Sequence, residues 1–175
     1  MLWRWICVGL VLIFAIFWFF KGIRLLKPND LQKLTSRIII IVITIDCICT
    51  LFGQPPVYWQ KYDKCNEFSI LGNLLLNKHP LIFTLAILVW ITFTTLFVSK
   101  TSFFYGFILF ATVFIGHSLG AWSWLQPWLG TLLNLVFKSK TVGSNTLFWE
   151  FSQYCFYILL AIILVIVFKK IRPLR

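Results

Sequence analysis

Three ionisable side chains stand inside long apolar stretches of this sequence: Asp46, His117 and Glu150. A charged group at the centre of a bilayer costs about 3 kcal/mol or more, so each one demands a partner or a task. Helical spacing sorts their neighbours. Asp46, Thr50 and Gly53 recur at i, i+4 and i+7, which is one face of a helix. Gly106, His117 and Gly120 share a face of a second helix, from which Thr112 points away. Glu150, Gln153, Tyr154 and Tyr157 make a polar stripe on a third. Gln54, Glu67 and His79 fall at the membrane surface nearest these groups. Such a set either walls a polar pocket open to that surface or ties helices together, with Asp46 bonded to His117. Glu150 has a simpler explanation as well, because an acid near a helix N-terminus is favoured by the macrodipole.

Other chemistries were weighed against the same residues. Asp46 and His117, with Glu67 or His79, offer donors that suit zinc. No HExxH or paired-histidine spacing supports a metal, so neither a metal nor any other cofactor is expected. The string Gly116-His117-Ser118-Leu119-Gly120 matches G-x-S-x-G. That motif works on a strained strand-turn-helix above a sheet, and here it sits inside a hydrophobic helix. A milder version resembles the rhomboid proteases, with Ser118 on one helix and His79 on another; His117, adjacent to Ser118, diverges from it by about 100°. The cysteines Cys7, Cys47, Cys49, Cys65 and Cys155 contain no CxxC pair and read as apolar packing residues.

The elements that position these residues follow from composition. The 175 residues are 60% hydrophobic and 12% charged, with mean hydropathy +0.90. Water could not cover so much apolar surface, so the chain belongs in a membrane, in spans of about 20 residues. Five spans are expected, at about 3–20, 38–53, 80–98, 103–121 and 146–168. Asp30 is the expected cap of the helix leading into the second, and Pro80 suits the first turn of the third. Residues 54–78 read as a polar loop stiffened by Pro55 and Pro56, with Tyr58 and Trp59 at headgroup depth. Residues 122–137 are apolar but short, with Pro127 and Gly130 inside and tryptophans at the start. They read as an interfacial or re-entrant helix. Continuous apolar runs such as 38–45 exclude a β-barrel, whose strands alternate. The fold expected is an all-α polytopic transmembrane bundle forming a single domain.

The formal charge of +11 comes from basic residues between and after the spans. With five spans, Lys21, Arg24, Lys27, Lys33, Arg37, Lys100, Lys169, Lys170, Arg172 and Arg175 fall on one side, ten against six on the other. The richer side is expected to be cytoplasmic, which leaves the N-terminus outside and the C-terminus inside. Headgroups and insertion account for these cations, and no basic stripe outside the spans suggests nucleic acid.

The stretch Asp46-x3-Thr50-Leu51-x-Gly53, then Asn66-Glu67, then Leu74-Leu75-x3-His79-Pro80, resembles small bacterial polytopic membrane proteins of uncharacterised activity. Phe68-Ser69-Ile70 stands where those proteins carry an Asn-Pro step. The resemblance implies a cytoplasmic (inner) membrane location and implies that Asp46, Thr50 and Glu67 act together; it implies no activity. The function expected is a non-enzymatic membrane component, a subunit, scaffold or lipid-contacting partner of other membrane proteins. The alternatives are a carrier of protons or small solutes, and an intramembrane hydrolase acting on lipid or peptide.

Overall fold

Apolar runs of this length must satisfy their backbone internally, which a helix does within one segment. The computed structural model describes residues 2–67, 69–136 and 146–171, without the side chains of 103, 133, 134, 136, 146–151 and 169–171. Every regular element among the described residues is helical. The helices are α1 (Leu2–Leu25), α2 (Asp30–Gly53), α3 (Ile70–Lys78), α4 (Pro80–Lys100), α5 (Phe103–Val136) and α6 (Thr146–Ile171). Short 3-10 turns occupy Pro56–Trp59 and Tyr62–Lys64. Among the described residues, four helices are long and apolar enough to cross a membrane: Leu2–Leu25, Asp30–Gly53, Pro80–Lys100 and, within α5, Phe104–Leu132. α6 carries a shorter apolar stretch, Ser152–Phe168.

The element boundaries differ from the sequence expectations in four places, each with a local cause. α1 continues past residue 20 through a π-helical turn, Trp18–Gly22, to Leu25. α2 starts at Asp30, one residue earlier than an Asp30 cap implies, and its cap is Asn29. Asn29 Oδ1 accepts from the Gln32 N–H at 2.8 Å, and Gln32 Oε1 accepts from the Asn29 N–H at 3.1 Å. This reciprocal box satisfies two N–H groups that the first turn leaves open. Residues 54–78 are not one loop: Ser69 Oγ accepts from the Gly72 N–H and starts α3. The boundary expected near 121 is absent, and α5 runs unbroken for 34 residues with Pro127 inside it. Proline removes one N–H, and membrane helices tolerate that loss.

The chain divides into two compact units, Met1–Ala121 and Trp122–Arg175. In the second unit, Trp122 stacks on Phe156 at 4.7 Å between ring centroids. In the first, α1, α2 and α4 pack on one another, and α2 and α4 share the most extensive contact. Small hydroxylated residues line that contact: Ser36 and Ser99 meet at 3.4 Å, and Thr84 and Thr94 donate back to Pro80 and Trp90 carbonyls. Such side chains let helices approach closely while satisfying their own hydroxyls. Toward the Gly53 end, Cys7, Val11, Cys47, Leu51, Tyr58 and Leu76 form one apolar cluster with Trp59 and Phe83.

Tyr58 closes this cluster. Its ring is fully buried and its hydroxyl donates to the Leu76 carbonyl at 3.0 Å, pinning α3 to the turn after α2. Replacing it with phenylalanine keeps the ring but leaves that carbonyl unpaired. Tyr58→Phe is expected to lower stability by about 1–2 kcal/mol. Thermal unfolding of the detergent-solubilised protein checks this; an unchanged midpoint would mean that the bond carries no weight.

Candidate functional site

Asp46 lies on α2, seven residues before Gly53, so about 10 Å of helix separates it from that end. His117 lies on the part of α5 that belongs to the first unit. The structure brings the two together: His117 Nδ1 is 2.7 Å from Asp46 Oδ2. The opposite ring nitrogen, Nε2, accepts from the indole N–H of Trp90 on α4 at 3.0 Å. One imidazole therefore links three helices. Asp46 and His117 are both mostly covered, with about a fifth of each side chain exposed.

Donor and acceptor roles set the protonation pattern. Indole N–H is a donor only, so His117 Nε2 must be the acceptor and the ring proton must sit on Nδ1. Nδ1–H then donates to the Asp46 carboxylate, which accepts as an anion. Protonating Nε2 as well would place two N–H groups against each other, so the full imidazolium is incompatible with the Trp90 bond. The cluster is a neutral histidine bracketed by a carboxylate and an indole, with both ring nitrogens used. Trp90 is the member that sequence reasoning missed. The only available signal was its position mid-span, where an indole needs an acceptor.

The carboxylate also needs room. Gly120 stands one turn along α5 from His117, and a methyl group at that position would lie 2.6 Å from Asp46 Oδ1. The shared face of His117 and Gly120 thus positions one partner and admits the other. Gly106, buried on the same helix, lies near the far end of α4. The face is completed by Phe110 and Val113, both buried.

The remaining candidates serve other ends. Thr50 is buried, and its carbonyl accepts from the Gln54 amide at 3.2 Å. Gln54, also buried, bonds the Asn66 N–H at 2.8 Å and the Asn66 carbonyl at 3.3 Å, so it staples the segment after α2. Glu67 Oε1 accepts from the Ser69 N–H at 3.0 Å, beside the start of α3. His79 caps α4, its Nδ1 accepting from the Leu81 N–H at 3.1 Å, while Trp3 and Tyr62 meet its ring edge-on. Ser118 is buried in α5 and makes no hydrogen bond to His79. Gln153 donates to the Tyr157 hydroxyl within the second unit. The Glu150 side chain lies outside the described residues. Among the described residues no group of three His, Cys, Asp or Glu is placed to hold a metal. In the segment outside the spans, burial pushes the Tyr58 hydroxyl and the Cys65 thiol up from their ordinary values.

The two flanking glycines of α5 separate sterics from helix propensity. No atom lies within 4 Å of a methyl group placed at Gly116, so Gly116→Ala is expected to be neutral or to stabilise by up to about 1 kcal/mol. Gly120→Ala forces the carboxylate off His117 and is expected to destabilise by about 1–3 kcal/mol. Unfolding midpoints of the two variants, compared side by side, check the close approach. Equal midpoints would mean the carboxylate does not need the space.

No known protein family, curated protein or solved structure matches this chain.

Proposed function

We propose that this protein is a non-enzymatic component of a cell membrane, a small subunit or scaffold in contact with lipid and neighbouring membrane proteins. In this reading the Asp46–His117–Trp90 chain is a tie between helices. The observation that carries it is the use of both His117 ring nitrogens in helix-to-helix hydrogen bonds. A general base needs a free nitrogen within reach of a substrate proton. A proton carrier needs a histidine that can accept a second proton without losing its partner. Neither is available while Trp90 donates to Nε2. His79, the alternative base for Ser118, uses its Nδ1 as a helix cap.

We further infer five spans, with α6 as the last and the stretch after residue 121 of α5 reaching the interface. At about 1.5 Å per residue, the 34 residues of α5 exceed a hydrocarbon core of about 30 Å. Positive charge then places Lys21, Arg24, Lys27, Lys33, Arg37 and Lys100 on the cytoplasmic side of an inner membrane, with the N-terminus outside.

The test replaces the tie by apolar packing. His117→Ala leaves an unpaired carboxylate at depth and is expected to cost about 3 kcal/mol or more, seen as lost abundance in the membrane. Asp46→Leu with His117→Leu removes the carboxylate and the imidazole together and is expected to restore most of the abundance, the Trp90 indole N–H being the one donor left without its acceptor. If the double variant also complements a deletion strain, the tie is structural. Restored abundance without complementation would overturn this reading in favour of proton or solute transport or catalysis by the pair.

A further inference from the structure

Arg4 is a half-buried cation at the end of α1 that lies beside Phe52 and the segment following α2. Its guanidinium carbon lies 5.1 Å from the Phe52 ring centroid, 5.5 Å from Trp5 and 6.0 Å from Trp59. Three aromatic rings thus surround one cation and favour it electrostatically. Contacts of this kind cover the faces of a guanidinium and leave its N–H groups, which lie in the plane, to find oxygen acceptors. None is supplied here. Arg4 makes no ion pair or hydrogen bond among the described residues, and its Nε is buried without a partner. The indole N–H of Trp59 is likewise buried without an acceptor, on a residue only 9% exposed.

Two unrelated side chains of one cluster therefore present orphan N–H donors, and one of them carries a full charge. Leaving such donors unsatisfied costs stability. An oxyanion accepting from both would remove that cost and neutralise the cation. Trp3 and Trp5, exposed on the same turn of α1, suit the depth of phospholipid headgroups. We propose that Arg4 and Trp59 form a binding site for the phosphate of a phospholipid headgroup, with the guanidinium edge and the indole N–H as donors. The site rests on the reading of the chain as membrane-spanning. It is independent of the Asp46–His117 tie.

The experiment is native mass spectrometry of the full chain in detergent, titrated with phosphatidylglycerol, and separately with inorganic phosphate. Trp59→Phe keeps an aromatic side chain and deletes the N–H donor, at some loss of core packing; it is expected to weaken lipid retention by the folded protein about threefold and to lower the unfolding midpoint modestly. Arg4→Ala is expected to weaken it about tenfold, and Arg4→Lys to an intermediate degree, since lysine keeps charge but loses the planar fork. Lys21→Ala, at the opposite end of α1, serves as the control and is expected to match the wild type. Lipid retention unchanged in both Trp59→Phe and Arg4→Ala would overturn the site. Displacement of the lipid by millimolar inorganic phosphate would make free phosphate the ligand and overturn the lipid assignment. Release of the wild-type chain from membranes by an alkaline wash would overturn the membrane reading itself, a failure distinct from either.

Discussion

A polar group inside an apolar span has no water to turn to, so its hydrogen bonds must come from another helix or from its own backbone. Asp46 is the sharpest instance of that constraint. Its carboxylate accepts from His117, His117 accepts from Trp90, and in this way α2, α5 and α4 are fixed to one another at a single imidazole. The buried Phe110, Val113 and Phe114 of α5 lie on the same stretch of helix as this chain of bonds. The same constraint explains a glycine at 120, where any side chain would occupy the space of the carboxylate. It also explains why the Thr84 and Thr94 hydroxyls bond back to carbonyls of their own helix and why Ser36 meets Ser99.

At the Gly53 end the constraint takes a different form. The segment from Gln54 to His79 must return the chain from α2 to α4 over an apolar core, and Gln54, Tyr58 and His79 do so with polar groups that are each satisfied, the Trp59 indole N–H being left without an acceptor. Gln54 holds Asn66 through both ends of its amide, Tyr58 holds α3, and His79 starts α4. Residues that could have converged on a substrate are instead distributed along this segment as staples and caps. Their chemistry is directed at the backbone, which has more unpaired groups in such a segment than anywhere in the spans.

These two patterns bear on function in opposite ways. Around His117 both ring nitrogens are engaged by side chains of other helices. Where hydrogen bonding is incomplete, as at Arg4 and Trp59, the protein presents donors that its own atoms do not meet.

Much of this was legible in the residues alone. Apolar runs of about 20 with few charges specify membrane helices, because only a helix satisfies its backbone within such a run. The pairing of Asp46 with His117 was open to inference from the scarcity of ionisable groups in those runs, and the face shared by His117 and Gly120 followed from a period of 3.6. Periodicity could not reveal Trp90, since an indole in a span looks like any other apolar side chain until an acceptor is found opposite it. Nor could it show that Asn29 rather than Asp30 caps α2, that α5 continues through Pro127, or that residues 70–78 form a helix. Each of those depends on which donor meets which acceptor across a turn or between helices. Spacing along one helix decides which side chains share a face; only tertiary structure decides what that face meets.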